Sequence, residues 1–312
     1  MRSPQVVPLT GLPAQVTVYE VGPRDGLQNE KSIVPVEVKA ELIRRLVAAG
    51  SRTVELTSFV HPTWVPQLAD AEQLLAELGS LSDGPLAGVR APVLVPNLRG
   101  LERALEHGVR EVAVFVSATE SFAQKNLNCS RDKALAMSAE VARDAIAAGV
   151  AVRGYVSMCF GDPWEGDVDL APVVDVVRTL CDQGCHEISL GDTIGVATAG
   201  HVVALLDAIS GAGVPRSALA VHFHDTYGQA LANTLVALQH GITVVDASVG
   251  GLGGCPFAQS ATGNLATEDL VWMLHGLGIE TGLDLPALVG TSLWLSERMG
   301  RPSPSRAVRA LG

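Results

Sequence analysis

Eight short apolar runs, each followed by a stretch with helical spacing, constrain the fold of this 312-residue chain more than any other feature. The runs are Val16–Glu20, Thr53–Thr57, Val89–Val95, Val112–Ser117, Val150–Ser157, Glu187–Leu190, Leu219–His224 and Val244–Val249. Between them the hydrophobic period changes from strand-like to helix-like. Val38, Leu42, Ile43, Leu46 and Val47 share one helical face, and Glu41 stands four residues before Arg45, the spacing of a helix-surface pair. Gly50 then stops the helix, as Gly79, Gly184 and Gly241 stop later ones. Ser130 is placed to cap a long helix whose first turn carries Asp132. Strands that alternate with helices pair in parallel through right-handed crossovers, and eight such units close a barrel. The expected fold is α/β, a (β/α)8 TIM barrel of about 250 residues with additional C-terminal helices. Residues 1–15 read as a leader, 16–284 as the catalytic barrel and 285–312 as a helical extension of the same domain.

Composition narrows the partners. Hydrophobic residues make up 47% of the chain but aromatics only 4%, so aliphatic side chains must fill the core. A net charge of −11 argues against nucleic acid, which requires a dense basic surface. No run of apolar residues is long enough to span a membrane. The first fifteen residues lack the apolar centre of a signal peptide, and the C-terminus ends Arg309-Ala310-Leu311-Gly312, which is no peroxisomal address. A cytoplasmic enzyme is the simplest expectation, with a homo-oligomer, a dimer, as its assembly. Five cysteines without a Cys-x-x-Cys pair describe neither a disulfide framework nor a zinc site. Cys129, Cys159, Cys181 and Cys185 read as packed residues.

A barrel puts its reactive residues at the C-terminal ends of the strands. Arg24, Asp25 and Gln28 follow the first run, Glu55 lies near the end of the second, and Asp192 follows the sixth. His222 and His224 close the seventh. Residues i and i+2 of a strand share a face, so both imidazoles enter the same space after the apolar Leu219-Ala220-Val221. With Asp25 and Asn264 they would make a mixed nitrogen and oxygen set, which suits octahedral Mg2+ or Mn2+ better than a closed zinc site. Taken singly, Asp25 and Asn264 also read as turn residues beside Gly26 and Gly263. The segment Gly250-Gly251-Leu252-Gly253-Gly254-Cys255-Pro256 has four glycines in five residues, a backbone able to approach a ligand and move as a flap carrying a thiol.

These residues bring the chain into resemblance with a known family, the 3-hydroxy-3-methylglutaryl-CoA (HMG-CoA) lyases, within the wider group of metal-dependent barrel lyases and synthases. The matching segments are Val21-Gly-Pro-Arg-Asp-Gly-Leu-Gln-Asn-Glu-Lys31, Thr57-Ser-Phe-Val60, Arg153-Gly-Tyr-Val-Ser157, Ser189-Leu-Gly-Asp-Thr-Ile-Gly195 and His222-Phe-His-Asp-Thr-Tyr-Gly-Gln229. The most specific is Ser248-Val-Gly-Gly-Leu-Gly-Gly-Cys-Pro-Phe257, followed by Gly263-Asn-Leu-Ala-Thr-Glu-Asp269. The resemblance implies retro-Claisen cleavage of an acyl-CoA, HMG-CoA, to acetyl-CoA and acetoacetate. It implies a divalent cation held by Asp25, His222, His224 and Asn264, and Asp25 or His224 as the base. Arg24 would face the thioester carbonyl, and Cys255 would protonate the enolate carbon. Gln28 and Glu55 would position these groups, and Tyr155, Ser189 and Asp192 would line the substrate or support the metal site. Gly250, Phe257, Asp162 and Trp164 depart from the family pattern. The last two sit in the loop after the fifth run, where they leave open a longer 3-substituted glutaryl-CoA. Motifs shared with Claisen-type synthases leave the direction of the reaction open as well.

Overall fold

All eight apolar runs contribute to one curled parallel sheet. The computed structural model of the chain describes residues 3–81, 83–254 and 263–312. Its elements alternate as β1 (Thr17–Glu20), α1 (Val36–Ala48), β2 (Thr57–Ser58), α2 (Ala71–Leu78), β3 (Val93–Leu94), α3 (Leu98–Glu106) and β4 (Glu111–Ser117). Then come α4 (Glu120–Leu127), α5 (Arg131–Ala147), β5 (Ala151–Ser157), α6 (Leu170–Asp182), β6 (Glu187–Asp192), α7 (Ala199–Gly211), β7 (Leu219–Phe223), α8 (Ala230–Gln239) and β8 (Val244–Ala247). Three helices follow: α9 (Thr267–Gly276), α10 (Leu285–Met299) and α11 (Arg306–Leu311). The strands pair in parallel in the order β1-β8-β7-β6-β5-β4-β3-β2. Glu20 closes the ring, since its N–H donates to the Thr53 carbonyl at 3.1 Å and its carbonyl accepts from Glu55 N–H at 2.9 Å.

The local signals act as their chemistry requires. Ser130 Oγ accepts from the Lys133 N–H at 3.2 Å and caps α5. Glu41 and Arg45 meet at 2.8 Å on α1. Gly50 ends α1 with φ 100°, and a Cβ there would lie 2.1 Å from the Gly282 carbonyl oxygen. Two differences from the sequence reading have physical causes. β2 and β3 are only two residues long, and Pro92, which has no N–H, sits in the middle of the third run. The short α4 was not expected, because its apolar spacing is weak.

The core is aliphatic, with Val, Leu, Ile and Ala sealing the space between sheet and helices. Inside the ring, however, the largest fully buried side chain is Arg153, beside Tyr19. Strand register puts Tyr19, Asp246 and His222 abreast on β1, β8 and β7, and Arg153 beside Glu187 on β5 and β6. A charged layer therefore lies beneath the C-terminal mouth. No helix among the described residues is long and apolar enough to cross a membrane.

Candidate active site

The loop after β1 makes a single π-helical turn over Gly22–Gly26, and this tight turn carries Arg24 and Asp25 to the barrel mouth. Arg24 is buried and clamped on two sides. Its Nε donates to Glu55 Oε2 at 2.6 Å and its Nη1 to Asp25 Oδ1 at 2.7 Å. Its Cζ stands 5.2 Å from the Tyr155 ring centroid, and among the described residues its Nη2 donates no hydrogen bond. Arg24 is thus not a surface cation: Glu20 and Glu30, the nearest glutamates in sequence, bind Val249 N–H and Arg301 instead. Tyr155 Oη donates to Glu55 Oε2 at 3.2 Å, while Glu55 Oε1 is buried without a partner among the described residues. Burial pushes the Glu55 carboxyl up, and Arg24 only partly opposes it.

Asp25 accepts from Arg24 and, at 2.8 Å, from Gln28 Nε2 on Oδ1; its Oδ2 accepts from Asn264 Nδ2 at 2.8 Å. Burial alone would raise its pKa, but Arg24, then His222 and His224, hold it below the usual carboxylate range. One ligand atom each from Asp25, His222 and His224 lie within 4.8 Å of one another. His222 Nε2 is 3.9 Å from Asp25 Oδ2, too far for a hydrogen bond, and the two imidazole centroids are 5.3 Å apart. Asn264 joins the same cluster through a backbone bridge to His224. Its Oδ1 is buried and unsatisfied among the described residues. A carboxylate, two imidazoles and an orphaned amide oxygen form a donor set that fits a hard divalent cation.

Asn264 is held by close backbone packing. A Cβ on Gly263 would lie 2.0 Å from the Gly251 carbonyl oxygen, so only glycine lets the two loops pass. The glycine segment differs from the expected flap at its root. Val249–Gly251 form a buried turn, with Val249 N–H donating to Glu20 Oε1 at 2.9 Å and Gly250 N–H to Glu268 Oε2 at 2.9 Å. Burial raises both carboxyls, Glu20 to about 7 and Glu268 to about 8. Leu252 accepts from Asn264 Nδ2 at 3.0 Å, and the Gly254 carbonyl accepts from Asn29 Nδ2 at 2.7 Å. Cys255 lies outside the described residues.

Ser189 and Asp192 stand apart from the cluster. Ser189 Oγ donates to Asp246 at 2.9 Å within the charged layer. Asp192 accepts the N–H groups of Val196 and Ala197 at 2.9 and 3.1 Å, closing the loop that follows β6. Its carboxyl is pushed up to about 6 by burial. Asp162, one of the departures noted in the sequence, takes Thr119 Oγ1 at 2.6 Å and the N–H of Trp164 at 2.7 Å, and so shapes its own loop. The residue that sequence reasoning missed is Asp246, whose Oδ2 faces His222 Nδ1 at 3.2 Å. The signal was present: Arg153, Glu187 and Asp246 are charges set in otherwise apolar strands.

Comparison with known proteins shows the family. A family model described as HMGL-like matches residues 15–293. The mitochondrial hydroxymethylglutaryl-CoA lyase of Bos taurus is 52% identical over 96% of this chain and 90% of its own length. The Arabidopsis thaliana enzyme of the same name is 54% identical over 96% of this chain, which spans 63% of that longer relative. The crystal structure of hydroxymethylglutaryl-CoA lyase from Pseudomonas aeruginosa superposes with a TM-score of 0.92 at 49% identity, covering 97% of this chain and 99% of that one. The chain belongs to the HMGL-like family, alongside the hydroxymethylglutaryl-CoA lyases.

Proposed function

We propose that the chain cleaves HMG-CoA to acetyl-CoA and acetoacetate, with Asp25, His222, His224 and Asn264 holding a Mg2+ or Mn2+ ion. The observation that carries this reading is the convergence of those four side chains beside the buried guanidinium of Arg24. The lyases named above, at about half identity, support the substrate.

Retro-Claisen cleavage requires that a tertiary alcohol lose its proton and that acetyl-CoA depart as an enolate. A divalent cation held by Asp25, His222, His224 and Asn264 would supply the positive charge that lowers the alcohol pKa. Of the two candidate bases, Asp25 is the poorer, since Arg24, Gln28 and Asn264 already occupy its oxygens. The His224 imidazole, the other candidate, would take the hydroxyl proton. Arg24 turns Nη2 to the thioester oxygen and stabilises the negative charge that develops there as the carbon–carbon bond breaks. Glu55, Tyr155 and Gln28 hold Arg24 and Asp25 in place, and Asp192 shapes the mouth loop. Cys255 delivers the proton to the enolate carbon.

The test is a substrate panel. Purified chain with HMG-CoA is expected to release acetoacetate and acetyl-CoA in equal amounts. Faster cleavage of a longer 3-substituted 3-hydroxyglutaryl-CoA would move the assignment to that substrate. Release of free CoA from acetyl-CoA and a 2-oxo acid, without HMG-CoA cleavage, would replace the lyase reading by a synthase.

A further inference from the structure

The group that fixes His222 lies on the far side of its ring from the cluster. Asp246, on β8, is fully buried and stands abreast of His222 in the strand register. Four donor groups converge on its carboxylate. Arg153 Nη2 reaches Oδ1 at 2.6 Å, and Arg153 Nη1, Ser189 Oγ and His222 Nδ1 reach Oδ2 at 3.2, 2.9 and 3.2 Å. Arg153 cannot swing away. Its Nε is tied to Glu187 Oε1 at 2.6 Å, and its Cζ sits 3.8 Å from the Tyr19 ring centroid and 4.6 Å from that of Tyr155.

A carboxylate gripped by a two-pronged guanidinium is an acceptor only. His222 Nδ1 must then be the donor in its contact with Asp246. That leaves the lone pair on Nε2, the nitrogen facing Asp25 Oδ2 across 3.9 Å. An imidazole binds a cation only through a nitrogen bearing a lone pair, and its other ring nitrogen sets which one that is. We propose that Asp246 is a positioning residue: anchored by Arg153 and Ser189, it fixes His222 with Nδ1 protonated and Nε2 presented to the Asp25–His224–Asn264 cluster. Ser189 acts through Asp246 in the same way, from inside the barrel rather than on the substrate. The inference rests on reading that cluster as the cation site.

Two measurements test it, neither of which needs turnover. The first uses the wild-type chain, metal-free and labelled with 15N at histidine, at a pH where imidazoles are neutral. Long-range nitrogen–proton correlation, with His222 identified through His222→Gln, is expected to show a protonated Nδ1 and a bare Nε2. A proton on Nε2 of His222 overturns the proposal, whether or not any Asp246 variant folds. The second is Mn2+ titration followed by electron paramagnetic resonance. Asp246→Asn is expected to bind roughly 10–100-fold more weakly than wild type, and Ser189→Ala to show a smaller loss. Thermal melts of the same samples separate this from global unfolding. Binding by folded Asp246→Asn within about twofold of wild type would again overturn it. If the wild-type chain binds no Mn2+ while His222 keeps Nδ1 protonated, the cation reading of the cluster fails, not the placement of the ring.

Discussion

The buried ion pair of Arg24 and Glu55 joins two roles that mutation can pull apart. Glu55 has no exposure to solvent, so it depends on the charge of Arg24, with a smaller share from Arg153, and on the Tyr155 hydrogen bond. Breaking a buried pair by removing one member costs about 3–5 kcal/mol, because the survivor is left uncompensated, whereas removing both is often neutral. Arg24→Gln is therefore expected to lower the melting temperature and to reduce kcat by about 10²–10³-fold, the loss typical of one oxyanion-stabilising donor. The double variant Arg24→Gln, Glu55→Gln is expected to recover most of the stability and none of the turnover. Calorimetry and steady-state kinetics on the three proteins check both halves. Recovery of activity in the double variant would remove the enolate role of Arg24.

At the scale of elements, the root of the glycine segment is a joint between β8, the loop after β1, and α9 and α10. Glu20 accepts from Gly22, Val249 and Thr267, and Glu268 accepts from Gly250 and Ser292. Burial raises Glu268 from its ordinary 4.5 to about 8 and Glu20 to about 7. A carboxyl whose folded pKa is raised binds a proton that the unfolded chain releases, so its contribution to stability is full below about 4.5 and is lost as pH rises. The melting temperature is expected to fall between about pH 5 and 8, and Glu268→Gln to flatten that slope. An unchanged slope in Glu268→Gln would show that the carboxyl ionises freely in the folded state. Here the sequence was partly legible. Helical and strand periods located α1, α6, α8 and all eight strands, because each buries one stripe or a whole run. It did not show that Glu20 and Glu268 meet at one turn, since residues 248 positions apart are joined only by closure of the ring. Asp246 shows as a charge in an apolar strand, but the same limit hid what it pairs with. Its partner Arg153 lies 93 residues away, and one sequence carries no sign of such a pairing.

At the scale of the whole molecule, the chain ends by returning to its own mouth. Asp269 on α9 accepts Ser305 Oγ and Ala307 N–H, each at 2.7 Å, which fixes the start of α11. Arg306 Nη1 reaches Asp225, next to His224, at 2.8 Å, and Ser303 Oγ donates to the Gly250 carbonyl at 2.9 Å. The tail from Ser303 to Arg306 thus ties the loops after β7 and β8, which also carry His224 and the glycine segment. Truncation after Gly300 is expected to lower kcat at least tenfold and to weaken Mn2+ binding, with the barrel still folded by circular dichroism. Wild-type kinetics in the truncated chain would confine the tail to a surface role. The barrel was legible from eight repeats of one period, and the His222–His224 part of the candidate cation cluster from a His-x-His pair at a strand end. The return of the tail was not, because Ser303, Ser305 and Arg306 stand in a breaker-rich stretch without periodicity.

The proposed cleavage depends on a hard cation held by Asp25, His222, His224 and Asn264. It is tested most directly by assaying HMG-CoA cleavage after exhaustive chelation and then titrating Mg2+ or Mn2+ back. Turnover should vanish with the metal and return in proportion to about one ion bound per chain, an ion that Asn264→Ala binds weakly. Undiminished acetoacetate release from the chelated, metal-free chain would contradict it.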